Sequence, residues 1–298
     1  MTDGYAGLWP GSWFDGDALS VADSEVLHAC GFASGLQLTP KRGAPYLSEF
    51  GDTRALHFDH RTIQSEMSIS NPLDLALDYT RVMMGFLLFN PRPATIDMIG
   101  LGGGSLAKYC YYKVPSSVVT AVEIDRDVIA LRGRFLIPED CGRFRILWGD
   151  GADYVRQSRR QADVLLVDGF DMDGQPPELC SQDFYDDCYR HLAPGGIFVV
   201  NLWEKHRLCK SRIRRSFGDE VVVVQTECGD NRAVFARKGG SLAQFTDDAT
   251  GLMHGERHAR FLPQVARRIR HQMLRRDLIG QAAEAIRSSA ADTGTASR

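Results

Sequence analysis

The sequence predicts an α/β protein built on a doubly wound, mostly parallel sheet, and three observations predict it. Short apolar runs alternate with helix-patterned segments from residue 96 to residue 236. Four of those runs end directly in glycines or acids: TIDMIGLGGGS, VVTAVEID, FRILWGDGAD and ADVLLVDGFD. The last two β-patterned runs lie close together, which marks an antiparallel hairpin at a sheet edge. Ligands of open α/β sheets bind beyond the carboxyl ends of the strands, so the four clusters are expected to converge on one crevice.

Residues 1 to about 45 are rich in glycine and aromatics, with Trp9, Trp13 and Phe14 close together and no period that assigns an element. PYLSEFGDTRALHFDHRTIQSEM reads as short strands with turns at Gly51-Asp52 and Asp59-His60, a small antiparallel sheet. A helix is expected over 72–89, where Leu73, Leu77, Val82, Met84 and Phe86 give a broad apolar face and Pro72 suits a first turn. Met83 and Met84 read as core. NPRP at 90–93 looks like a joint. Beyond it the pattern predicts strand 96–99, helix 105–112, strand 118–123, helix 126–135, strand 144–148, helix 152–158, strand 163–167, helix 182–192, strand 197–202 and helix 205–217. The hairpin strands follow at 221–226 and 232–236, then an arginine-rich helix over 256–287 with Phe261, Val265, Ile269 and Leu274 on one side, and a polar tail expected to be disordered. The domain division is therefore 1–90, a β-rich region and linking helix; 91–240, the doubly wound sheet domain; and 241–298, basic helix and tail.

The formal charge is −3, but residues 256–287 carry eight arginines against three acids, leaving an acidic excess elsewhere. That balance suits a small cationic substrate better than nucleic acid. No apolar stretch reaches the roughly 18 residues of a membrane helix, and the N-terminus lacks a signal-peptide pattern, so a cytoplasmic protein without membrane partners is expected. Seven scattered cysteines with no CxxC pair argue against disulfides and zinc, and His57 and His60 lack a third ligand, so no metal is expected.

In the strand-to-helix loop, Gly100, Gly102, Gly103 and Gly104 leave backbone amides open to a ligand. Glu123, about 20 residues on at the end of the next strand, is placed to bind both ribose hydroxyls. Asp150 reads as an acceptor for an adenine amino group, with the backbone of Gly151 and Ala152 against the ring, and equally as the cap of the next helix, and the two readings are compatible. Asp168 and Asp171, spaced i and i+3 around Gly169, are expected to face one cavity. Like charges so close favour a cationic guest, and a carboxylate there would take an amine's proton. Trp203, Glu204 and His206 follow the next strand and read as pocket rim or helix start.

These motifs occur in an order that resembles the spermidine synthase family of polyamine aminopropyltransferases: the glycine loop, the VEID acid, GDGA at 149–152, D-x-x-D at 168–171, SQDFYDDCY at 181–189 and LAPGG at 192–196. The resemblance covers about 45–236. It implies a small N-terminal β domain joined to a Rossmann sheet of class I methyltransferase type, with decarboxylated S-adenosylmethionine as donor, an amine as acceptor, and a homodimer. It further implies that the first aspartate of D-x-x-D deprotonates the amine and that Gln64 and Tyr79 line the donor and acceptor pockets. Two positions depart from the family pattern. Gly103 stands where the loop usually carries an aspartate for the donor's ammonium, and Tyr79-Thr80-Arg81 replaces the YHE triplet. The first change opens the loop to a carboxylate, making intact S-adenosylmethionine a rival donor. The expected function is transfer of an aminopropyl-type group to an amine, against two alternatives: methyl transfer, or nucleoside binding without turnover.

Overall fold

The computed structural model describes residues 43–59, 63–203, 206–227, 229, 231–243, 245–254 and 258–295. The aromatic-rich N-terminal stretch, His60 and Glu204 lie outside them. The compact unit Pro40–Arg298 holds everything that follows.

It begins with an antiparallel sheet of β1 (Tyr46–Phe50), β2 (Thr53–His57) and β3 (Ser65–Ser68). Gly51, at φ 56°, makes the tight turn between the first two. The expected helix over 72–89 is shorter than predicted: α1 spans Asp78–Met83 and passes into a 3-10 turn, Met84–Leu88. Leu77 stays extended, and Arg81 Nη1 donates to the carbonyls of Leu75 and Ala76 at 2.7 and 2.8 Å. A side chain thus takes backbone acceptors that a longer helix would have used, which overrides the cue from Pro72. Val82, Met83, Met84, Phe86 and Leu87 are fully buried, as the apolar pattern predicts.

The main sheet has seven strands in the order β6-β5-β4-β7-β8-β10-β9. Five are parallel: β4 (Thr95–Ile99), β5 (Val118–Glu123), β6 (Phe144–Trp148), β7 (Ala162–Val167) and β8 (Leu192–Leu202). β10 (Arg232–Arg237) runs antiparallel between β8 and the edge strand β9 (Val222–Gln225). Between them lie α2 (Ser105–Lys113), α3 (Arg126–Ala130), α4 (Gly151–Gln157), α5 (Gln182–His191) and α6 (His206–Phe217); α7 (Asp247–His254) and α8 (Leu262–Thr295) follow the sheet. The predicted helix over 126–135 ends at Ala130, followed by turns in which Leu136 takes φ 54° and the ring of Phe135 is carried into the core.

Side-chain alternation splits the core by sheet face. Ile96, Met98, Ala121, Val164 and Val199 pack with α2, the 3-10 turn and α8. Ile99, Val122, Leu165, Val167 and Phe198 pack with α5 and α6. On α8, Phe261, Val265 and Ile269 lie inward as expected, but Met273 takes the next buried place and Leu274 is exposed. The helix continues through residues that the sequence reading assigns to a disordered tail. No helix of the described residues is long and apolar enough to cross a membrane.

Candidate active site

Strand order reverses at β4, whose neighbours β5 and β7 connect in opposite directions; this is where an open α/β sheet splays into a crevice. The backbone carries the pairing one step past the strands. Gly100 N donates to Val122 O and Asp168 N to Ile99 O, each at 2.8 Å, so the loops after β5, β4 and β7 emerge side by side.

Gly100 stands at φ 92°, and a Cβ there would lie 2.1 Å from the carbonyl oxygen of Asp168. No side chain fits. The demand comes from the approach of two loops as well as from a ligand's need for space. A Cβ on Gly104 would meet Ile137 at 2.5 Å, and one on Gly103 would meet Ser65 Oγ at 2.7 Å and the Phe135 ring at 2.9 Å. The space that a loop aspartate needs at position 103 is therefore taken by Ser65 and Phe135. Gly102, at φ 52°, has Ser65 at an ordinary contact distance.

Glu123 ends β5 almost fully buried. Its Oε2 accepts from Leu101 N at 2.8 Å and its Oε1 from Asp125 N at 2.9 Å, so the carboxylate ties down the glycine loop. Burial raises its pKa, against the backbone donors of Asp125, Leu101 and Gly102 that favour the charge. With three backbone donors already on it, the carboxylate keeps acceptor capacity for a ribose hydroxyl. Gly149 N donates to Glu123 O, joining the start of the GDGA turn to the same edge.

Asp150 is the N-cap of α4, accepting from Ala152 N at 2.7 Å and Asp153 N at 3.1 Å. The cap reading holds, and it occupies the Ala152 amide. Gly151 serves packing, since a Cβ would come within 2.1 Å of Ile99 Cγ2. Sequence reasoning missed the apolar rim here: Ile124 and Trp148 are 64 % and 59 % exposed, and the Arg126 guanidinium lies 3.6 Å from the centre of the Trp148 ring. Large apolar groups left open beside a ribose-type acid suit a flat heteroaromatic base, and their place directly after two strands was the available signal.

Asp168 follows β7. Asn201 Nδ2 donates to its Oδ1 at 2.9 Å, the Tyr79 hydroxyl donates to the same carboxylate, and Asn231 Nδ2 donates to Asn201 Oδ1 at 3.0 Å. Tyr79 comes from α1, Asn201 from β8, and Asn231 precedes β10. Burial pushes the Asp168 carboxyl up to about 6, and only the two neutral donors, Asn201 and Tyr79, pull the other way. The same surroundings push the Tyr79 phenol above its usual value, first by burial and then by the adjacent charge. Asn201 and Asn231 were missed; the only hint was an amide at the end of the apolar run IFVVNL.

Asp171 lies in a different setting from Asp168. It is exposed, its Oδ1 accepts from Asp173 N at 2.8 Å, and its backbone pairs with Gly174 across a tight turn. The raised pKa of Asp168 thus owes nothing to a like charge at 171. Gln64 is partly buried just before β3, its backbone N–H donating to Leu56 O at 2.9 Å. Trp203 is partly exposed beyond β8. Among the described residues no group of three or more His, Cys, Asp or Glu would hold a metal ion.

Such a site can seat a nucleoside along the loops after β4, β5 and β6. It presents one burial-raised carboxylate beside them. The chain is similar to known proteins. The spermine/spermidine synthase domain model matches residues 77–218. A polyamine aminopropyltransferase of Chromobacterium violaceum is 43 % identical over 204 residues, spanning 67 % of this chain and 78 % of that protein. Among solved structures, a spermidine synthase in complex with the transition-state analogue AdoDATO superposes with a TM-score of 0.56 at 21 % identity, over 73 % of this chain and 84 % of that one. Human methyltransferase-like protein 13 in complex with SAH gives 0.52 at 22 % identity, over 64 % and 92 %. At these identities the two structures establish the fold, a sheet of methyltransferase type.

Proposed function

Because the chain belongs to the spermine/spermidine synthase family, we propose that it transfers an aminopropyl group from decarboxylated S-adenosylmethionine to a small amine, with Asp168 taking the proton. The observation that carries the assignment is the Asp168 carboxyl: half-buried at the sheet switch point, raised to about 6 by desolvation, and hydrogen-bonded among the described residues to neutral donors.

The donor brings a three-carbon arm on a sulfonium, so the displacement needs orientation and an unprotonated nucleophile. Glu123 binds the ribose hydroxyls; Gly100, Gly102, Gly103 and Gly104 admit the donor close to the backbone; Ile124 and Trp148 flank the base; the turn at Asp150, Gly151 and Ala152 supports that end; and Gln64 lines the donor pocket. Asp171, exposed at the rim, adds attraction for a cation. An alkylammonium has a pKa near 10, so handing its proton to an ordinary carboxylate costs about 8 kcal/mol and to one near 6 about 5 kcal/mol. Burial therefore removes about 3 kcal/mol from the step that frees the nitrogen lone pair. Tyr79 and Asn201 hold the carboxylate in place while its charge changes.

In our reading the enzyme works in the cytoplasm as a homodimer, with domain limits near 90 and 240. The loop without an aspartate at 103 makes donor choice the point to test. Purified enzyme is incubated with decarboxylated or with intact S-adenosylmethionine and a panel of mono- and diamines, and the spent nucleoside is identified. Methylthioadenosine from the decarboxylated donor is the expected product. S-adenosylhomocysteine formed from the intact donor, with no reaction of the decarboxylated one, would replace aminopropyl by methyl transfer.

A further inference from the structure

Helix α1 delivers Tyr79 to Asp168, yet little within α1 holds it. The helix is six residues long, and Leu77 at its N-cap offers no side-chain cap. A helix this short is not self-supporting and leaves its first amides unsatisfied. Its first residue, Asp78, does not turn back to cap it either. That carboxylate points to the C-terminal part of the chain.

There it meets Arg268 of α8 in a two-pronged pair. Nη1 lies 2.9 Å from Oδ1 and 3.1 Å from Oδ2, and Nη2 lies 3.1 Å from Oδ2. Nη2 also donates to the carbonyl of Gln225 on β9, and Asp78 Oδ2 accepts from Glu227 N at 2.7 Å. Arg81 approaches Asp78 at 3.5 Å and the Glu227 carboxylate approaches Arg268 at 3.8 Å, and these are the charged groups around the pair among the described residues. The Asp78 side chain is 8 % exposed, and the arginine with the other donors outweighs burial to lower its pKa. Beside Arg268, α8 is seated against the 3-10 continuation of α1: a Cβ on Gly85 would strike Ile269 at 2.6 Å and Val265 at 3.0 Å. Arg268 lies beyond residue 218, where the family-model match ends, whereas Asp78 and Tyr79 lie inside it.

We propose that Arg268 is a positioning residue: by clamping Asp78 it fixes the first turn of α1 and so sets the hydroxyl of the next residue, Tyr79, on Asp168. The C-terminal helix is thereby part of the catalytic apparatus without touching substrate. The inference rests on the reading of Asp168 as base and Tyr79 as its partner.

The acid limb of kcat/KM against pH reports the free enzyme's base. Tyr79 stabilises the charged carboxylate, so Tyr79→Phe should move that limb upward. Arg268→Ala should move it the same way by less, with kcat down about tenfold, the scale of a modest misplacement. Arg268→Lys keeps the charge but not the two-pronged geometry, and should fold and fall between. The double variant Arg268→Ala/Tyr79→Phe should match Tyr79→Phe in its limb, because the clamp acts through the phenol. A moved limb in Tyr79→Phe with an unmoved one in Arg268→Ala and Arg268→Lys overturns this inference alone, as does full additivity of the two shifts. An unmoved limb in Tyr79→Phe removes the site reading and the inference with it.

Discussion

Two aspartates of the same sheet, one fully buried and one half-buried, meet opposite company. Asp97, inside β4, is fully buried and receives His191 Nε2 at 2.9 Å, the Tyr154 hydroxyl at 2.8 Å and the Arg160 guanidinium at 3.1 Å. Burial alone would raise it, but those donors and charges hold it below the usual carboxylate range. Asp168, just past β7, has Tyr79 and Asn201, and burial prevails. Burial by itself therefore does not mark a functional carboxylate. What separates the two is the counter-charge: Asp97 has one built in and is closed to a cation, while Asp168 has neutral donors and leaves the charge to be supplied by a guest.

The sharpest way to break this contrast is to neutralise each residue in turn. Asp168→Asn should lower kcat/KM about a thousandfold, the range of a lost general base, while donor binding measured by calorimetry persists. It should also stabilise the fold. A carboxyl raised to about 6 costs nothing below the unfolded value near 4 and destabilises progressively as pH rises through 6, so the gain from Asp168→Asn is absent at pH 4 and reaches about 3 kcal/mol at pH 8. Asp97→Asn should do the reverse, costing about 3 kcal/mol in urea unfolding at pH 7 while folded enzyme keeps its kcat/KM within about twofold. Its lowered pKa gives the opposite sign: the stabilisation is present above about pH 4 and lost as pH falls through the folded value, so the variant's acid unfolding should flatten. Asn201→Leu removes a donor that favours the charged Asp168 and strands Asn231, so kcat should fall about tenfold and the acid limb should move upward. Asp171→Asn should do least, raising KM for the amine by about two- to threefold, as befits an exposed charge screened by water.

The same contrast explains what the sequence could disclose. The strands, the glycine loop, the Asp150 cap and the Glu123 position follow from local rules, because apolar alternation, glycine at a strand end and a capping acid act within a few residues. The company of Asp168 does not. Tyr79 is brought in by a helix whose start depends on Arg81 and Arg268, and Asn201 and Asn231 meet it only when β8 and β10 pair. The D-x-x-D spacing draws attention to the loop, but spacing in a turn leaves the company of each carboxylate open; one is bonded by Asn201 and the other caps its own turn. Likewise the apolar stripe of α8 was legible as far as Ile269, and the choice of Met273 over Leu274 was set by the surface on which the helix rests.

The account stands most directly on the charge state of one carboxyl. Carbon-13 NMR of selectively labelled aspartate side chains, assigned by Asp168→Asn, would follow its titration in the free protein and again with a diamine present. A midpoint near 6 that drops when the diamine binds is the predicted result. A midpoint near 4 that the diamine leaves unmoved would contradict it.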